Sequence, residues 1–96
     1  MITFKPKDVI SPVLFKKALA NGRVEKVTIR MAKEGIVLIF RIAGRDRILG
    51  QHRGGPRYFK AFDGAISSLV QYDLNQFEAD VTGWLPRMMK ERLNEN

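Results

Sequence analysis

Between Lys33-Glu34-Gly35 and Ala43-Gly44 the chain reads Ile36-Val37-Leu38-Ile39-Phe40-Arg41-Ile42, with five consecutive apolar residues at its start. A run this short and this rich in β-branched residues is a strand. Neighbouring side chains on a strand point to opposite faces, so an unbroken apolar run shows apolar groups on both. Such a strand is usually central in its sheet and covered on both sides.

The flanking residues supply the sheet. Val27, Ile29 and Met31 alternate with Lys26, Thr28 and Arg30, the pattern of a half-buried strand. Lys33-Glu34-Gly35 reads as a hairpin turn and Ala43-Gly44-Arg45-Asp46 as a second, leading to a third strand over Arg47–Gln51. Arg53-Gly54-Gly55-Pro56 is a loop, because two glycines and a proline break regular structure. Arg57–Lys60 reads as a short fourth strand, and Phe77, Ala79 and Val81, alternating with Gln76, Glu78 and Asp80, as a fifth.

Helices frame these strands. Ser11-Pro12 is an N-cap followed by proline at the first helical position, Leu14, Phe15, Ala18 and Leu19 follow at helical spacing, and Asn21-Gly22 ends the element, so a helix is expected over about residues 12–20. Phe62, Ala65, Ile66, Leu69 and Val70 mark a second helix with Asp63 as its N-cap, ending near Tyr72–Asn75. Leu85, Met88, Met89 and Leu93, with Pro86 near the start, form the face of a third. The expected fold is one α+β domain over residues 1–96, a largely antiparallel four- to five-stranded sheet braced by two or three short helices in the order α-β-β-β-β-α-β-α.

Charge narrows the function. The chain carries a formal net charge of +7, unevenly divided: residues 1–60 hold fourteen Lys/Arg against four acids, residues 61–96 three against six. A compact domain with one strongly basic part suits a polyanion, and nucleic acid first of all. There is no cysteine, which excludes disulfides, thiolate metal sites and thiol catalysis, and His52 is the only histidine. Few ways remain to build a nucleophile and base, so no catalytic residue, metal or cofactor is expected. The longest apolar run is too short to span a membrane and the N-terminus lacks a signal-peptide pattern, so a cytoplasmic location is expected.

The candidate nucleic-acid contacts are Arg41, Arg45, Arg47, Arg53, Arg57 and Lys60, gathered around the third strand and its flanking loops with His52 and Tyr58 among them. Arginine suits phosphate because its planar fork donates two parallel hydrogen bonds. Gly54 and Gly55 let backbone approach closely, and Tyr58 and Phe59 offer rings to unpaired bases. The same charges also fit plain solvated surface or an acidic protein partner. Glu78 and Asp80 read as solvated edge charge, or as complements to basic residues of a second subunit. Val37 and Ile39 lie opposite Ile36, Leu38 and Phe40; helices on one face only would leave them exposed, to be covered by the third helix or by a second copy. They and Trp84 are the candidate interface of a homodimer or of a protein partner.

The run Arg53-Gly54-Gly55-Pro56-Arg57-Tyr58-Phe59-Lys60-Ala61-Phe62-Asp63-Gly64-Ala65, continuing to Leu69, and then Phe77-Glu78-Ala79-Asp80-Val81-Thr82-Gly83-Trp84, resembles ParC-family partition-associated proteins, small accessory proteins of bacterial plasmids and integrated elements. The match covers about the C-terminal half. It implies a bacterial mobile-element setting and a non-enzymatic role, and carries no catalytic residues to transfer. In topology, four strands followed by a helix are similar to Whirly-type single-stranded DNA binders, which dimerise and hold DNA against their sheets; the fifth strand departs from that pattern. The expected function is thus a DNA-associated accessory protein, binding DNA rather than RNA, with a protein–protein adaptor or inhibitor of a partition or conjugation component as the alternative.

Overall fold

The computed structural model describes residues 4–85. A 3-10 turn at Pro6–Asp8 leads into β1 (Val9–Ile10), α1 (Pro12–Ala20), β2 (Val24–Ala32), β3 (Gly35–Ile42), β4 (Arg45–Leu49), α2 (Phe62–Gln71) and β5 (Glu78–Asp80). The strands form one sheet in the order β1-β4-β3-β2-β5, so β3 is central as its apolar run requires.

The middle of the sheet is the expected antiparallel meander, with Ile29 opposite Leu38 and Phe40 opposite Arg47. Both edges are parallel instead: β1 runs with β4, and β5 with β2. The sheet is therefore mixed. A helical return across one face brings the chain back in its original direction, which is how β5, after α2, comes to lie parallel to β2. β1 has only two residues, too few for a periodic signal. The expected fourth strand at Arg57–Lys60 is an extended segment with two single bridges, Gly50 to Pro56 and Ile36 to Phe59. Pro56 has no N–H to continue a ladder. The third helix expected at Leu85–Leu93 lies beyond Leu85 outside the described residues.

Both described helices have local causes. The Ser11 Oγ accepts from the Leu14 N–H at 3.2 Å, capping α1 with Pro12 in its first turn. At its other end Gly22, at φ 67°, places Arg23 to donate back to the Ala18 carbonyl at 2.9 Å, the paired-bond helix stop that favours glycine. α2 ends in the same motif, with Leu74 donating to the Leu69 carbonyl at 2.9 Å, but the left-handed position is held by Asp73 at φ 60°. The N-cap of α2 is Ala61 rather than Asp63; Asp63 sits in the first turn, where its charge favours the helix dipole.

The helices share one face of the sheet. Phe15 of α1 stacks on Phe40 with ring centroids 4.3 Å apart and meets Tyr72 edge-on at 5.0 Å; Ala65 and Leu69 of α2 complete a core with Ile29, Ile36 and Leu38. Burying each such large side chain contributes about 1.5–3 kcal/mol. Leu14, by contrast, faces solvent. The opposite face has a smaller core of its own: Val37, Ile39, Ile48 and Ala32, with Phe4 and Tyr58 packed against them. Val37 and Ile39, expected to stay exposed if helices covered one face alone, are thus buried within the chain. Val37 is 0 % exposed and Ile39 is buried, so neither offers a surface to a partner, and the expected homodimer loses that basis.

Candidate nucleic-acid interface

The basic residues divide into two populations. On the sheet face away from the helices, β2 lies beside β5 in parallel register, Thr28 against Glu78 and Arg30 against Asp80. This brings Lys26 Nζ to 3.2 Å from Glu78 and Arg30 Nε to 3.5 Å from Asp80. Across the same face Arg41 Nε meets Asp46 at 3.0 Å. Hydrogen bonds from Thr82, and then the Arg30 charge, hold the Asp80 carboxyl below the usual carboxylate range; the Asp46 hydrogen bond pushes Arg41 upward. Glu78 and Asp80 therefore complement basic residues of their own chain. This face is charge-balanced and poorly suited to hold a polyanion in the manner of a Whirly-type sheet.

The second population sits on the loop after β4. Gly50 anchors it: its N–H donates to the Ile10 carbonyl at 2.8 Å, and a Cβ there would lie 2.8 Å from Val9 Cγ1 and 3.0 Å from the Ile10 oxygen. Gln51 then ties the loop together. Its N–H donates to the Gly55 carbonyl at 2.8 Å, its own carbonyl accepts from Gly54 at 3.0 Å, and its Nε2 donates to the Pro56 carbonyl at 2.8 Å. Its Oε1 accepts from Arg53 Nε at 3.2 Å. Gly54 and Gly55, at φ 98° and 79°, make the turn that allows this closure.

The loop presents two arginines with their phosphate-binding edges open. The bond to Gln51 uses only the Nε of Arg53 and leaves both terminal nitrogens. The Arg57 guanidinium stacks over the Phe59 ring at 4.7 Å, an interaction through its face that leaves its in-plane N–H donors available. Neither arginine meets a carboxylate among the described residues.

The other expected contacts are scattered. Arg45 reaches Asp8 at 3.7 Å, and Asp8 also accepts from the Lys5 N–H at 2.9 Å, the larger cause of its lowered pKa. Arg47 is half-buried, its terminal nitrogen donating to the Val9 carbonyl at 3.3 Å and its Nε enclosed without a partner. Lys60 is exposed just before α2, and Trp84, 42 % exposed, packs edge-on against Phe62 at 5.0 Å. Of six expected contacts, the fold thus gathers Arg53 and Arg57 on one loop, places Lys60 apart, and ties Arg41, Arg45 and Arg47 internally.

Alternation along the extended segment gives the loop two sides. Arg57 and Phe59 point toward the helices, Pro56 and Tyr58 toward the opposite face. On the helix side a hollow of about 370 Å³ is lined by Leu49, His52, Arg53, Arg57 and Tyr72. On the other, one of about 560 Å³ is lined by Phe4, Pro6, His52, Pro56 and Tyr58. Burial, and then the Glu34 charge, push the Tyr58 hydroxyl upward, so it stays neutral at pH 7. Sequence reasoning missed Gln51 and Tyr72. Gln51 has no local signal, since its partners are backbone atoms brought near by the turn; the Arg57–Phe59 stack was readable as an i, i+2 pair on an extended segment.

Among the described residues no three His, Asp or Glu are grouped to hold a metal, and no helix is long and apolar enough to cross a membrane. A model of the ParC-like family matches residues 10–88. The chain belongs to the ParC-like family. The match runs from the end of β1 past β5, so the ParC-like region takes in both described helices and the loop, well beyond the C-terminal half that the resemblance covers. No curated protein and no solved structure matches the chain.

Proposed function

We propose that this ParC-like protein is a non-catalytic, DNA-associated accessory protein of a bacterial plasmid or mobile element. The observation that carries the reading is the loop of Gln51–Arg57. It is cross-tied by hydrogen bonds and presents Arg53 and Arg57 without carboxylate partners among the described residues, on a chain of net charge +7. Preorganised arginines are what phosphate contact requires, since little side-chain entropy is left to lose on binding. Such contacts position a protein on nucleic acid without reading bases, so binding depends steeply on salt and weakly on sequence. Fluorescence anisotropy with labelled oligonucleotides at two salt concentrations tests this. Micromolar or tighter binding that weakens steeply with salt is expected; no binding at low salt from so basic a protein rejects it.

A second reading, an adaptor for another partition or conjugation protein, rests on Trp84 and Val81, 42 % and 48 % exposed near the end of the described chain. It predicts that Trp84→Ala abolishes capture of such a partner.

A further inference from the structure

The two hollows flank one loop and share Gln51 and His52, yet differ in chemistry. The helix-side hollow presents the open donor edges of Arg53 and Arg57. The other holds two aromatic rings, Phe4 and Tyr58, beside Pro6, Ser11 and Pro56, with His52 at their common border. Their volumes, about 560 and 370 Å³, fall in the range that bound small molecules occupy. Two arginine edges on one side and two aromatic rings on the other, separated by a single loop, match the alternation of phosphate and base along a nucleotide chain.

We propose that the Gln51–Tyr58 loop is a saddle for single-stranded DNA, with a phosphate held by Arg53 and Arg57 on one side and an unstacked base set against Tyr58 and Phe4 on the other. The proposal rests on the DNA-binding reading and adds the form of the ligand. A duplex keeps its bases paired and stacked, so it supplies phosphates to the arginines but no base to the aromatic hollow; only a single strand fills both. The saddle is fixed before the ligand arrives, because Gln51 ties the loop and the bridges at Gly50 and Phe59 pin its two ends. His52, exposed on the crest, is placed to touch either part of the strand.

The test compares a labelled ten-nucleotide oligothymidine with a duplex of the same length, using the full chain at one salt concentration. The expected result is at least about fivefold tighter binding of the single strand, from one stacked base. Arg53→Gln with Arg57→Gln lowers affinity for both forms, and Tyr58→Leu collapses the single-strand preference toward one. Because Tyr58 also packs on the small core, a variant-free readout accompanies it: 2-aminopurine in the oligonucleotide is quenched on binding to the unaltered protein as it stacks. Equal affinity for the two forms with no quenching overturns the saddle and leaves the DNA-binding reading standing. Binding of neither form overturns both.

Discussion

The sheet face and the loop hold similar numbers of cations and use them in opposite ways. Lys26, Arg30 and Arg41 stand on the open face, each against a carboxylate of its own chain at 3.0–3.5 Å. Arg53 and Arg57 stand on a hydrogen-bonded loop, steadied by neutral partners, an amide oxygen and a phenyl ring. A neutral partner orients a guanidinium without cancelling its charge; a carboxylate does both. Net charge therefore says how many cations a chain has, and only the partners say which remain for a ligand.

The sharpest way to break this comparison is Val37→Asp. If the open face were an empty docking surface, this change would remove a partner and leave the fold intact. Val37 is 0 % exposed, so an unpaired carboxylate there is expected to cost about 4 kcal/mol or more, visible as a large fall in the urea midpoint. Next in size, Arg53→Ala with Arg57→Ala is expected to weaken DNA binding about tenfold or more and to lower the salt slope by about 1.5, the loss of two phosphate contacts. Gln51→Ala removes the side-chain ties of the loop; it is expected to cost about 1–2 kcal/mol in chemical denaturation and to weaken binding a few-fold as the arginines lose their orientation. Lys26→Ala takes a cation from the paired face, and its anisotropy titration is expected to shift by less than about twofold. A change as large as that of the loop arginines would erase the distinction between the two regions.

The smallest effect is one of acidity. Asp8 and Asp80 have folded pKa values below the ordinary carboxylate range, through hydrogen bonds from Lys5 and Thr82 respectively and then through the nearby charges of Arg45 and Arg30. The folded state binds their protons less readily than the unfolded one. Their stabilisation is complete above the ordinary carboxylate pKa of about 4 and is lost as pH falls through the lower folded values. Thermal melts between pH 7 and pH 5 are expected to coincide, with a decline below pH 4. A decline already between pH 7 and pH 5 would point instead to a group other than these two carboxylates.

Features carried by neighbours in sequence were legible. Ser11-Pro12 and Asn21-Gly22 place α1 at residues 12–20, where it stands. The β3 run demanded cover on two faces and has it. A resemblance to ParC-family proteins is read in residues 53–84 only, whereas the ParC-like match extends over 10–88. What failed in the reading was mostly non-local. Phe4 and Tyr58, which pack against the small core containing Val37, are distant on either side of it in the chain, and no periodicity announces them.

The sequence by itself determined α1, α2 and the strands β2 to β5, the central place of β3 and the excess of positive charge, because period, capping and composition act over a few residues or over the whole chain without regard to shape. Only the tertiary structure decided which cations are spent. The parallel return of β5 brings Glu78 and Asp80 to Lys26 and Arg30, and the approach of the N-terminal segment to β4 engages Arg45 and Arg47. Arg53 and Arg57 remain available because their loop folds onto its own backbone, out of reach of any carboxylate among the described residues. An ion pair is a statement about distance, and distances between remote residues exist only once the chain has folded.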